Sequence, residues 1–153
     1  MNVIRLKDIY TRKYAEALAR EGEKLILKAY NSANFKKDKT QNLHDSYGSA
    51  VYFNRKYVIG TKRLFSARAK EPRFNYYTKE NEYGFQEINS YLDNYVPKTN
   101  GFVLLVAVAM FYGTFLEKGS GRLKRKYRVL SGISSDMNSL AQLTGGTVRN
   151  INI

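Results

Sequence analysis

The sequence predicts a single α+β domain in which a long N-terminal helix and further helices pack on a small antiparallel or mixed sheet. Three observations lead there. A helical apolar period runs over residues 11–30 and again over 80–95, and β-rich runs bounded by turn residues occur at 49–61 and 102–111. The chain has 153 residues, enough for one buried core and too few to need two. The order is helix, hairpin, helix, strand, loop, helix, with no internal repeat and no low-complexity segment.

Over residues 11–30, Tyr14, Leu18, Leu25, Ile26 and Ala29 recur at the spacing of one helix face, with Glu16, Arg20, Glu23 and Lys24 outward. Thr11 is available as N-cap, its hydroxyl accepting a first-turn amide. Gly22 costs on the order of 1 kcal/mol against alanine in a helix interior, so it marks a close helix contact or a bend. After the polar stretch 36–42, the runs 49–54 (SAVYFN) and 57–61 (YVIGT) flank a short turn near Asn54 and Arg55, the pattern of a β-hairpin.

Residues 61–79 keep no steady period, include Pro72 and carry Lys62, Arg63, Arg68, Lys70 and Arg73. They read as a long basic loop or as a segment that orders on assembly. Across 80–95, Phe85, Ile88, Leu92 and Tyr95 share a helix face that Pro97 closes. The run 102–111 (FVLLVAVAMF) is rich in β-branched residues and too continuous for a half-exposed strand. It reads as a central strand covered on both faces, with a buried helix as the competing reading. A Gly-Ser-Gly turn at 119–121 follows, then the basic run 122–128 (RLKRKYR), and a short helix at 134–143 that Gly145 and Gly146 terminate. The tail 147–153 (TVRNINI) can add an edge strand.

With 26 Lys and Arg against 13 Asp and Glu, the formal charge is +13, which calls for a partner of negative sign: phosphate backbone, anionic lipid or acidic protein. The absence of cysteine excludes disulfides and thiolate metal sites, and a single histidine, His44, leaves no histidine cluster for zinc or iron. No cofactor or metal is expected. The N-terminal stretch has no apolar run of signal-peptide length, so synthesis in the cytoplasm is expected. The longest apolar run, at about ten residues, is half what a membrane-crossing helix needs, so no membrane partner is expected.

His44, Asp45 and Ser46 contain the letters of a catalytic triad, but consecutive residues do not converge as nucleophile, base and orienting acid. A polar lead-in to the first strand, with Asp45 or Ser46 bonding to local backbone amides, is the plainer reading. Gly119, Ser120 and Gly121 lack the Lys-Ser/Thr pair of a nucleotide loop and read as a turn. Glu80, Glu82 and Glu87 fall on predicted helix-surface positions. No catalytic residue is assigned and the chain is not expected to be an enzyme. Thirteen tyrosines and eight phenylalanines stand among the basic residues. Tyr10, Tyr14, Tyr30, Tyr76, Tyr77, Tyr83, Tyr91 and Tyr127 can stack on bases, yet tyrosine is equally a residue of interfaces and cores. Their spread over helix faces and turns favours the second role.

Directly after the apolar strand stands Tyr112-Gly113-Thr114-Phe115-Leu116-Glu117-Lys118-Gly119-Ser120. This stretch resembles the Tyr-x-x-x-x-Glu-x-Gly-Ser/Thr signature of the head-tail joining and tail-completion proteins of tailed bacteriophages. That family also has a long N-terminal helix, a Leu-x-x-Ser-type lead into a strand, here Leu43-His44-Asp45-Ser46, a β-meander and a C-terminal helix. Read as a strand-to-turn junction, the motif anchors Tyr112 and Phe115 in the core, turns at Gly119, and leaves Glu117 for loop amides or a neighbour's arginine.

The resemblance implies one head-tail connector-like domain over 1–153, a virion structural protein forming a homo-oligomeric ring between portal and tail, around the DNA passage. Its partners would be the portal, other neck or tail proteins and packaged DNA, and its location the virion neck or tail, after assembly in the host cytoplasm. Lys118, Arg122, Lys124, Arg125, Lys126 and Arg128, six basic residues within eleven positions, are expected to face DNA or a partner, because burial without partners is prohibitively costly. Tyr112, Glu117, Gly119 and Ser120 form the structural motif. The alternative is a monomeric basic nucleic-acid-binding module of ribosomal or nucleoid type; a small basic nuclease or toxin is a third, for which no base or metal cluster can be assembled.

Overall fold

The computed structural model describes residues 3–32, 41–60, 68–118 and 129–149. Its first helix, α1, is Val3–Ser32. Thr11 therefore lies inside the helix and is not its N-cap; no proline or glycine between Val3 and Thr11 stops the helix upstream. Ala15, Leu18, Ala19, Leu25, Ile26 and Ala29 are buried along one stripe of α1, the face that the helical period marks.

A single helical turn, α2 (Asn42–Asp45), leads into β1 (Tyr47–Phe53) and β2 (Lys56–Gly60). Asn54 and Arg55 take φ of 48° and 70°, the pair of left-handed residues that joins two right-twisted strands in a tight hairpin. The hairpin is the one the sequence predicts. Next come β3 (Arg73–Asn75), β4 (Glu80–Glu82), α3 (Gly84–Asn94), β5 (Phe102–Val108), α4 (Gly113–Lys118), a 3-10 turn at Ser131–Ile133 and α5 (Ser134–Thr144).

The main sheet has the order β2-β1-β5, antiparallel throughout, so the α+β class read from the sequence holds. Alternation along β5 shows how the layers stack. Leu104, Val106 and Val108 pack with Leu25, Ile26 and Ala29 of α1, whereas Val103, Leu105 and Ala107 pack with Ile88 and Leu92 of α3. Helices thus cover both faces of the sheet, as the apolar run 102–111 suggests. That run does not form the central strand, however: β1 holds the centre, and β5 is an edge strand among the described residues. Hydrophobicity reports the covering of faces and not the place in the sheet: β5 lies beneath helices on both sides, yet it is less buried than β1, whose first six residues are all buried.

Small residues on β1 let the layers close. A Cβ on Gly22 would stand 2.6 Å from Ser49 Oγ and 2.9 Å from Leu104 Cδ1, so this glycine marks a close approach of α1 to the sheet and not to another helix. On the opposite face, a Cβ on Gly48 would meet Ile88 Cγ1 at 2.6 Å. The Tyr52 hydroxyl reaches across that layer and donates to the carbonyl of Leu92, in the last turn of α3, where helical carbonyls run out of backbone donors.

The second helix is shorter than the period over 80–95 predicts. Glu80–Glu82 is a strand, β4, paired with β3 in a two-stranded hairpin, so the described part of the predicted loop 61–79 also carries a strand. Asn75 makes the connection: its Oδ1 accepts the amide of Tyr77 at 2.9 Å, and its Nδ2 donates to Glu82 Oε1 at 2.7 Å. Residues 61–67 lie outside the described residues. Helix α5 ends where predicted, with Gly145 at φ 68°. Residues 147–149 form no strand, and 150–153 lie outside the described residues. No helix among the described residues is long and apolar enough to cross a membrane.

Candidate interaction surfaces

The described part of the motif after β5 is helical from Gly113 to Lys118. Where a strand-to-turn junction is predicted, the chain leaves β5, turns at Met110, whose carbonyl accepts the Gly113 amide at 2.9 Å, and winds into α4. Tyr112 is half-buried, with the Arg73 guanidinium 5.8 Å from its ring centroid and the Phe111 ring edge-on at 5.2 Å. Glu117 lies in α4 and Lys118 is exposed at its end. The side chains of Phe115 and Glu117 lie outside the described residues, as do Gly119, Ser120, Arg122, Lys124, Arg125, Lys126 and Arg128. The chain around them is held at both ends. Leu116 packs on the Leu25 and Ile26 cluster, and Val129, buried in the same cluster, accepts the Tyr47 hydroxyl at 2.9 Å.

The β3–β4 hairpin carries aromatic surface where the sequence predicts a loop. Phe74 and Tyr76 meet edge-on at 5.1 Å, and Tyr77 approaches Phe111 at 6.4 Å. Tyr76 and Tyr77 are 68% and 74% exposed. Exposed neighbouring aromatics next to Arg73 have the composition of a contact surface. An asparagine ending a short β-prone run, here Asn75 after Arg73-Phe74, is the signal that marks the turn.

A groove of about 690 Å³ runs between α3, the β3–β4 hairpin and the chain leaving β5. Tyr91, Tyr95, Val96, Met110 and Phe111 give it apolar walls, and Glu82 and Glu87 give it charge. In sequence, residues 80–97 contain Glu80, Glu82, Glu87 and Asp93 and no lysine or arginine, in a chain of +13, while Arg73 and Lys79 stand on the adjoining hairpin. Contrary to the predicted helix-surface placement, Glu80 and Glu82 lie on a strand, and Glu82 is buried, bonded to Asn75 and to the Thr78 hydroxyl. Behind the groove, burial and then the neighbouring Tyr57, Tyr91 and Tyr95 push the Tyr52 hydroxyl far above its ordinary pKa.

Burial, followed by the charges of Glu82 and Glu80, raises the Glu87 carboxyl above its ordinary value of 4.5. The folded protein then holds this proton more tightly than the unfolded chain. The stabilising contribution is present below pH 4.5 and is lost as pH rises through the raised folded value. Glu87→Gln, which cannot ionise, is expected to be more stable than the parent at neutral pH and to flatten the stability profile just above pH 4.5. Urea unfolding across a pH series measures this; an unchanged profile would remove Glu87 as its cause.

His44, Asp45 and Ser46 do not converge. His44 meets the Tyr30 ring at 4.7 Å, and Ser46 Oγ donates to the Leu43 carbonyl at 2.7 Å. Asp45 accepts the amides of Arg68 and Ala69, each at 2.8 Å, so the amides it serves are distant in sequence and not local. Asn42 extends the clamp, donating to the Glu71 carbonyl and accepting the Gly84 amide, both at 2.9 Å. These buried polar groups tie chain segments together. Among the described residues, no group of three His, Cys, Asp or Glu is arranged to hold a metal ion. Compared with known proteins, the chain matches no family model, no curated protein and no solved structure.

Proposed function

We propose that the chain is a virion structural protein that forms a ring in the neck or tail region of a tailed bacteriophage, between portal and tail, as a head-tail joining or tail-completion protein. The observation that carries this reading is the motif Tyr112-x-x-x-x-Glu117-x-Gly119-Ser120, placed straight after β5 in a chain that opens with a long helix and a β-hairpin. Charge supports it. A ring repeats each lysine and arginine by its symmetry, so the basic residues between 118 and 128 become a belt around DNA or against an acidic rim. A ring also needs two different patches on every subunit, which an aromatic-acidic face and a basic segment supply. In this role the chain has no catalytic residue and takes no cofactor.

The monomeric nucleic-acid-binding reading has one observation in its favour, the exposed Tyr76 and Tyr77 beside Arg73, a combination suited to stacking on single-stranded bases. Electron cryomicroscopy of intact particles separates the two. The expected result is a symmetric ring of this chain between portal and tail; its absence from particles, together with a monomer acting in the host cytoplasm, would sink the ring reading.

A further inference from the structure

We propose that the first three turns of α1 are a docking arm, and that the groove between α3 and the β3–β4 hairpin receives the arm of a second copy of this chain. The contact rests on the ring reading only for its closure into a circle. Helix α1 has 30 residues and is therefore about 45 Å long. Its contact with the sheet begins at Tyr14, whose ring lies 4.6 Å from that of Phe102, and at Ala15, which is wholly buried. Upstream, every residue from Arg5 to Lys13 is exposed except Leu6 and Thr11, which are half-buried.

A short exposed helix is marginal in water unless one of its faces is packed. This one presents Leu6 and Tyr10 at i and i+4, a stripe rotated away from the Ala15, Leu18 and Gly22 face that meets the sheet. Tyr10 is 70% exposed and Ile9 42%. Arg5, Lys7 and Lys13 surround the stripe together with Asp8 and with Arg12, which is paired with Glu16 at 3.2 Å.

The groove is the complement. Tyr91, Tyr95, Val96 and Phe111 offer apolar surface, Val96 being 56% exposed, and Glu82 and Glu87 line the same walls. Opposite charge across an apolar contact steers association and sets its register. The arm cannot reach its own groove: α1 and α3 lie on opposite faces of the sheet, and a continuous helix does not fold back around it. The occupant is thus another copy, and because arm and groove lie on opposite faces the contact is head-to-tail and repeats from subunit to subunit.

The chain has no cysteine, which makes the test direct. A chain carrying both Tyr10→Cys and Val96→Cys, two exposed positions, is treated with a short bis-maleimide at high protein concentration and low salt. A ladder of covalent oligomers is expected from the double variant and from neither single variant. In parallel, Lys7→Glu with Lys13→Glu should weaken self-association at least about tenfold, as should Glu87→Lys, and combining all three in one chain should restore it. Absence of the ladder, with charge reversals that leave association unchanged, overturns the contact. A ladder that stops at a closed dimer keeps the contact and overturns the ring. A ring in particles whose cysteine pair does not cross-link keeps the ring and overturns the contact.

Discussion

Gly84→Ala is expected to destabilise the protein by at least about 3 kcal/mol, a large share of the roughly 5–15 kcal/mol that holds a domain folded. A Cβ at this position would overlap the Asn42 carbonyl oxygen and lie 2.8 Å from its carbon. Both are backbone atoms, with no flexible side-chain end to yield. The α2 turn and the start of α3 would have to part, and Asn42 would lose its bonds to the Gly84 amide and the Glu71 carbonyl, both 2.9 Å long. A buried polar group left unpaired costs about 1–3 kcal/mol, and the clamp joins several. Urea denaturation measures the loss. Gly48→Ala is the comparison and should cost less, because its added methyl meets side-chain atoms, Ile88 Cγ1 at 2.6 Å and Leu92 Cδ1 at 3.1 Å, and no backbone. A Gly84→Ala protein with the parent midpoint would show that α2 and α3 are not clamped as described.

The second large effect is on binding. Replacing Lys124, Arg125 and Lys126 together by glutamine is expected to lower affinity for double-stranded DNA on the order of a hundredfold near 0.15 M salt. Each phosphate contact adds about 0.9 to the slope of log affinity against log salt, so losing three flattens that slope by about 2.7. Titration at several salt concentrations reads both quantities. If these residues instead grip an acidic neighbour, DNA affinity holds and assembly falls with the same salt signature. Unchanged DNA binding, assembly and salt response would leave an ordinary solvated basic segment.

Much of the architecture was legible because it is local. Leu18, Leu25, Ile26 and Ala29 announce α1 by their spacing, Asn54 and Arg55 announce the first hairpin by their place between two β-prone runs, and Gly145 ends α5. Each signal lies within a few residues of the structure it specifies, and backbone sterics and the helical period read it there. The strands β3 and β4 have only three residues each, too few for a period, and their hairpin depends on one asparagine reaching a glutamate seven residues on. The sequence pattern there predicts loop and helix for that reason.

The sequence by itself determined the α+β class, the covering of the apolar run at 102–108 on both faces and the basic composition of 118–128; at Gly22 it left a helix contact or a bend open. Tertiary structure alone decided that β1 holds the centre of the sheet, that Asp45 serves the amides of Arg68 and Ala69, and that Asn42 grips Gly84 across 42 positions. It also decided that Glu82, Glu87, Tyr91, Tyr95 and Phe111 line one groove while α1 packs on the other face of the sheet. Composition and period specify which residues are buried and how each segment winds. Which segments then meet depends on strand pairing, layer order and the satisfaction of buried polar groups, and these arise only when the chain closes on itself.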